Sequence, residues 1–94
     1  MALVKTDFAV MGDGNGSKMA VYRTADAIAV VNSSGYFNDL SSVLSLGDVI
    51  FVQTVNDPAA VTSVSAVNIV YVNGNASGVV DVTDGLAVTA TDTD

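Results

Sequence analysis

The chain has 94 residues and a formal net charge of −7, from ten acidic residues, all of them Asp, against three Lys and Arg. Nucleic-acid binding needs a row of cations, so this composition excludes it, and the negative charge disfavours anionic membranes. No apolar run approaches the roughly 20 residues of a membrane span. Half the residues are apolar but only 6% are aromatic, which predicts one domain, residues 1–94, with a thin core that oligomerisation would supplement.

The N-terminal part predicts a β-hairpin. Apolar and polar residues alternate imperfectly over Ala2–Met11, which predicts a first strand. Gly12–Ser17 is rich in Gly, Asp and Asn and predicts a turn, and Met19–Arg23 predicts the second strand.

Residues 25–45 predict one or two short helices. Thr24 is a suitable N-cap and Asp26 would lie in the first turn, where the helix dipole favours an acid. The β-branched pair Val30-Val31 leaves a strand open as an alternative. Gly35 breaks the pattern, and Leu40–Leu44 has the apolar spacing of a second helical turn.

The second half of the chain predicts a series of strands. Val49–Val55 is a nearly continuous apolar run, which favours a central strand. Beyond it, the predicted strands are Val61–Val72 (one long strand or two with a bend), Val79–Thr83 and Leu86–Thr91. The predicted turns are Asn56–Pro58, Asn73-Gly74 (or a longer loop that includes Asn75 to Gly78) and Asp84-Gly85. The polar end, residues 92–94, is expected to fray.

These elements predict a mainly β fold. Five to seven short strands separated by frequent turns are typical of a small sandwich or barrel. The helical segment near residues 25–45 leaves an α+β arrangement as the alternative.

The side chains argue against an enzyme. The chain has no His and no Cys, which removes Ser-His and Cys-His nucleophile pairs and the usual zinc ligands. Asp13–Ser17 places oxygen ligands at alternate positions, as calcium loops do, but it lacks a later bidentate Glu and is better interpreted as a hairpin tip. We therefore predict no catalytic residue, no metal and no cofactor.

Three segments resemble small bacteriophage virion proteins. These segments are Tyr22-x-Thr24-Ala-Asp26, Gly35-Tyr-Phe-Asn38 and Leu46-Gly-Asp48-x-Ile50. The pattern, a short stretch ending in Tyr-Phe-Asn before a Leu-x-x-Gly-Asp turn and a strand, is similar to that of capsid decoration and head-fibre proteins. It covers roughly residues 20–55 and carries no active residues.

The resemblance implies a non-enzymatic decoration, or cement, protein on the outer surface of a viral head, made in the host cytoplasm. Its partners would be the major capsid protein and further copies of itself, with a trimer favoured. A carbohydrate- or protein-binding module of a phage fibre, phage tail or cell surface is the alternative. Tyr22, Tyr36 and Tyr71 could form a sugar-stacking platform in that case, although packing is the usual role of Tyr.

Two groups of residues follow from this interpretation. Gly35, Tyr36, Phe37, Asn38 and Asp48 are predicted to specify the fold: the Gly lets the chain turn, the aromatic pair plugs the gap between helix and sheet, and the polar residues organise turns. An apolar set near the N-terminus, Phe8, Val10 and Met11, is the candidate partner interface.

Overall fold

The computed structural model describes residues 3–14 and 16–89, and the chain is mainly β. Six strands are present in this part of the chain: β1 (Phe8–Gly14), β2 (Ser17–Thr24), β3 (Val49–Val55), β4 (Val64–Ala76), β5 (Val79–Val82) and β6 (Leu86–Val88). Between β2 and β3 lie one α-helical turn, α1 (Ile28–Val31), and a 3-10 helix, Asn38–Leu40; a second 3-10 helix, Lys5–Asp7, precedes β1.

The strands form one open sheet in the order β1-β2-β3-β4-β5, with β6 also paired to β4. All pairs are antiparallel except β2 and β3, which run parallel. Parallel neighbours need a long crossover connection. Residues 25–48 make that crossover, and we call residues 25–46 the insert.

The core lies between the insert and one face of the sheet. Alternate residues of β2 to β5 face the insert, and the insert returns its own apolar side chains to them. The buried members are Ala20, Tyr22, Ile50, Val52, Val70, Val72, Val80 and Val82 from the sheet, with Val31, Phe37, Leu40 and Leu44 from the insert. The shortest extent of the molecule, 21 Å, matches two layers at about 10 Å each.

The prediction of a mainly β fold is confirmed, and the structure now defines which β architecture it is. The described strands form neither a sandwich nor a barrel but a single sheet covered on one face. Sequence alternation shows that a strand has two faces but not what covers each of them.

Of the two hairpins predicted after β3, the first forms but turns at the end of its predicted loop, and the second is wrong. The chain passes straight through Asn73-Gly74 as part of β4, with a bulge between Val72 and Gly74, and turns instead at Ser77-Gly78. Asp84-Gly85 does not form a hairpin. It separates β5 from β6, and these two strands pair with successive parts of β4. Gly85 has a φ of +111°, and a Cβ there would lie 3.4 Å from Ile28.

The predicted helix is shorter than expected. Ala27, not Thr24, is the N-cap residue of α1, and the helix holds only Ile28–Val31. Thr24 ends β2 and accepts a hydrogen bond from the Asp26 N–H at 2.9 Å. That local bond satisfies the backbone in a turn rather than a helix, as Thr often does. The strand alternative at Val30-Val31 is also wrong.

Other boundaries shift by a few residues. β1 begins at Phe8, after the Lys5–Asp7 3-10 helix, and β3 matches its prediction at Val49–Val55. The start of the first predicted strand at Ala2, the end of the last beyond Thr89, and the frayed residues 92–94 lie outside the described residues. None of the helices described is long and apolar enough to cross a membrane.

Candidate interaction surfaces

Gly35, Tyr36 and Phe37 dock the insert onto the sheet. Gly35 has a φ of +90° and donates its N–H to the Val80 carbonyl of β5 at 2.9 Å. That left-handed turn directs the Phe37 ring inward, where it is 1% exposed. Its ring centroid lies 5.8 Å from that of Tyr22 and 5.1 Å from that of Tyr36, both edge to face.

A chain of hydrogen bonds runs beside these rings. The Tyr36 hydroxyl donates to Asp26 Oδ2 at 2.7 Å, and it lies 2.8 Å from the Tyr22 hydroxyl. Because the Tyr36 proton is committed to the carboxylate, Tyr22 is the donor in that pair, and Tyr22 in turn accepts from the Val4 N–H. Burial, followed by the bonds to Tyr22 and Asp26, raises the pKa of Tyr36, so its hydroxyl stays protonated as a donor.

Asn38 and Asn75 fix the far end of the insert. Asn38 Oδ1 accepts the Val80 N–H at 2.9 Å, and Asn38 begins the 3-10 helix of the insert. The Asn75 amide donates to the carbonyls of Ser41 and Leu44 at 2.9 and 2.6 Å. These side chains therefore form hydrogen bonds with backbone groups that have no partner in a strand ladder.

Asp48 organises the turn into β3 and ties it to β2. Its carboxylate accepts the Ser45 N–H at 2.8 Å and the Lys18 N–H at 3.0 Å, and Lys18 Nζ lies 2.9 Å away. Burial by itself would raise the pKa of Asp48. The two N–H donors and the ammonium outweigh that effect and lower its pKa below the ordinary value.

A cleft of about 340 Å³ opens where the hydrogen-bond chain ends. Asp7, Asp26 and Asp57 line it together with Thr24 and Pro58. Within the described residues, no group of three or more acidic, His or Cys side chains could hold a metal ion. The Asp13–Ser17 segment, considered for calcium, joins β1 to β2, and its Asn15 lies outside the described residues.

The predicted interface residues separate into two environments on β1, the edge strand of the sheet. Phe8 is half-buried and packs its ring against Tyr22 and Phe37, both at 6.3 Å between centroids. Val10 and Met11 are 43% and 69% exposed. The register shifts between Val10 and Gly12, so Met11 is the extra residue of a β-bulge. Bulges redirect side chains at sheet edges, and here the bulge leaves Met11 in solvent.

The face of the sheet opposite the insert, which we call the outer face, is mostly apolar. One row crosses five strands in direct register, Ala9–Val21–Phe51–Ile69–Leu86. A second row joins Met19, Val49 and Tyr71, and a third joins Arg23, Gln53, Val67 and Val88. Met19, Tyr71, Leu86 and Val88 are all about half or more exposed.

A shallow groove of about 380 Å³ lies in the outer face, between Val49, Ile69, Tyr71 and Leu86. Tyr71 is 50% exposed, whereas Tyr22 is fully buried and belongs to the core. The three Tyr residues considered for a sugar platform therefore do not lie together on one surface.

The outer face was missed in the sequence analysis. Its signal is present, since Met19, Val21, Val49, Phe51 and Ile69 are alternate apolar residues on predicted strands. Whether such residues form one surface depends on strand order, and the parallel pairing of β2 with β3 cannot be read from alternation.

No family model, curated protein or solved structure matches the chain.

Proposed function

We propose that this chain is a non-enzymatic decoration protein that binds the outer surface of a bacteriophage head. The resemblance at Tyr22–Asp26, Gly35–Asn38 and Leu46–Ile50 suggests the class, and the observation that carries the proposal is the exposed apolar corner formed by Val10 and Met11. Decoration requires a compact acidic body with an apolar contact, and these residues supply such a contact.

The capsid contact is assigned to Val10 and Met11 rather than to the backbone of β1. A bulge and a Gly-rich end disfavour the addition of a further strand to an edge. A projecting Met instead offers a flexible apolar side chain that adapts to a pocket on a partner. A small contact of this kind suffices on a capsid, because linked copies that engage together gain avidity.

The partners in this proposal are the major capsid protein and other copies of the chain. The protein would be made in the host cytoplasm and would end on the capsid exterior. No catalytic group and no cofactor has a part in it.

The first experiment is quantitative mass spectrometry of purified particles of the virus that encodes the chain. A copy number comparable to the number of capsid symmetry positions is expected. A handful of copies per particle would favour a tail or fibre module, and absence from the particles would overturn the proposal.

A second experiment tests the contact itself. The variant Met11→Gln keeps the side-chain length but makes it polar, and we expect it to bind stripped particles at least about tenfold more weakly, the change expected from roughly 1.4 kcal/mol. Leu46→Gln is the control, because Leu46 is 65% exposed on a different part of the surface. Equal binding by both variants would exclude Met11 from the contact.

A carbohydrate-binding module is the second candidate, because Tyr71 stands half-exposed beside the groove of the outer face. A glycan array distinguishes the two: specific sugar binding that is lost in Tyr71→Ala favours the module.

A further inference from the structure

The outer face is an apolar surface that the described fold leaves without a second layer. The insert covers the opposite face of the same sheet, and a sheet with one solvated face normally shows polar residues there. Here ten apolar residues occupy the outer face: Ala9, Met19, Val21, Val49, Phe51, Val67, Ile69, Tyr71, Leu86 and Val88. We propose that the outer face binds the outer face of a second copy of this chain, so that the two sheets form a β-sandwich.

The shape of the outer face suits an identical sheet. Two sheets with the same right-handed twist pack face to face about 10 Å apart, with their strands about 30° from alignment. The 21 Å thickness of one copy accounts for the insert and one sheet. A pair would therefore have four layers, with the two sheets inside and the two inserts outside.

The area of the outer face suits a weak pair. Met19, Tyr71, Leu86 and Val88 are about half or more exposed, whereas Val21, Val49, Phe51, Val67 and Ile69 are partly buried. At roughly 100 Å² for a fully exposed apolar side chain, the face has about 350 Å² to bury on each copy. Two copies would bury about 700 Å² in total, which is typical of a weak, concentration-dependent contact.

The charge distribution favours a second copy over a charged partner. The chain carries a net charge of −7, yet none of its Asp residues belongs to the three rows of the outer face. The charged member of those rows is Arg23, whose Nε donates to Gln53 Oε1 at 2.9 Å at the edge of the face. Asp81 lies on the same side of the sheet but outside those rows, on the edge strand β5 between the inward-facing Val80 and Val82. The centre of two facing copies therefore holds no carboxylate, whereas a strongly basic or acidic partner would find little to pair with.

The symmetry follows from the surface. A face that binds its own copy makes an isologous contact, which closes as a twofold dimer, whereas a trimer needs two different patches. The proposal is thus for two copies per assembly, and not the three that the resemblance favours. It does not depend on the proposed capsid function.

Sedimentation equilibrium over a range of protein concentrations tests the pair. The full chain is expected to reach twice the 9.5 kDa mass of one copy. Leu86→Lys places a charge within the outer face and is expected to raise the dissociation constant at least about 30-fold, since burying an unpaired charge at an interface is unfavourable. Raising the salt concentration should tighten the wild-type dimer, because salt screens the repulsion between acidic copies.

Leu46→Lys is the matched control: Leu46 and Leu86 are 65% and 69% exposed, and Leu46 lies in the turn before β3. It should leave the dimer unchanged. If circular dichroism shows that Leu86→Lys is unfolded, Met19→Lys, at the other side of the outer face, decides in its place. A monomer at every concentration, a trimer, or a dimer that survives the substitution in the outer face would overturn the proposal.

Discussion

Asp48 illustrates how a single side chain connects distant parts of this chain. Its carboxylate is 1% exposed but accepts two backbone N–H groups and faces the Lys18 ammonium. Each of these bonds is charge-assisted, and such bonds are stronger than neutral ones. The sequence identified Asp48 as a turn residue, and its hydrogen bond with the Ser45 N–H lies within that turn. Its contact with Lys18, 30 residues earlier, depends on the pairing of β2 with β3.

The variant Asp48→Asn should lower the free energy of unfolding by about 1.5–3 kcal/mol at pH 7, because the hydrogen bonds lose their charge. The folded pKa of Asp48 lies below its ordinary value of 3.8. Its contribution is therefore present above pH 3.8 and is lost as the pH falls through the folded pKa. Urea unfolding at several pH values should show wild type and variant converging in acid.

Asp39→Asn is the control for that experiment, because Asp39 is exposed, and it should change stability by less than about 0.5 kcal/mol. A cost for Asp48→Asn that is the same at pH 7 and in strong acid would contradict the ionic contribution.

Among the elements, the insert is held by packing more than by helix propensity. α1 has only four residues and no side-chain cap, and an isolated helix of that length is not stable in water. What fixes the insert is the burial of Phe37 and Leu40 and the bonds from Gly35 and Asn38 to Val80. The sequence predicted a short helical segment and its Gly break, but not its partner strand β5, which lies more than 40 residues later.

Phe37→Ala should lower the free energy of unfolding by about 3–5 kcal/mol, because it leaves a cavity between the insert and the sheet. Urea denaturation at pH 7 measures this cost. Val43→Ala, in the same insert but 41% exposed, should cost much less. A cost below about 1 kcal/mol for Phe37→Ala would show that its ring does not support the core.

The whole molecule is a two-layer structure with unequal faces. One side of the sheet contacts the insert. The outer face is open to solvent, and Leu86 and Tyr71 are exposed on it. The sequence predicted a sandwich or barrel because it has five to seven short strands separated by frequent turns. The described strands provide one sheet, and in the proposed pair the sheet of the other copy supplies the second covering layer.

If two copies share the outer face, stability should depend on protein concentration, because association stabilises the folded state by mass action. The urea midpoint of the wild-type chain should rise when its concentration is increased 100-fold, whereas that of Leu86→Lys should stay constant. A wild-type midpoint that is independent of concentration would contradict the pair.

The sequence by itself determined the class of the fold and the positions of several strands and chain breaks. Composition excluded His- and Cys-based chemistry, alternation and apolar runs located β3 and much of β2, and Gly35 marked the break in the insert. These features depend on neighbours in sequence, whose geometry is set by the period of a strand and the freedom of Gly at positive φ.

The tertiary structure decided how those elements meet. Strong turn dipeptides did not form hairpins at Asn73-Gly74 or Asp84-Gly85. Asn73-Gly74 lies where β4 pairs with β5, and Asp84-Gly85 lies between two strands that pair with successive parts of β4, so the ladder outweighs local preference. The exposure of Met11 depends on a bulge, and the outer face depends on a parallel pairing. Register and strand order are non-local, since they are set by which residues find cover. That is why the outer face, and the separation of Phe8 from the exposed Met11, emerge only from the folded chain.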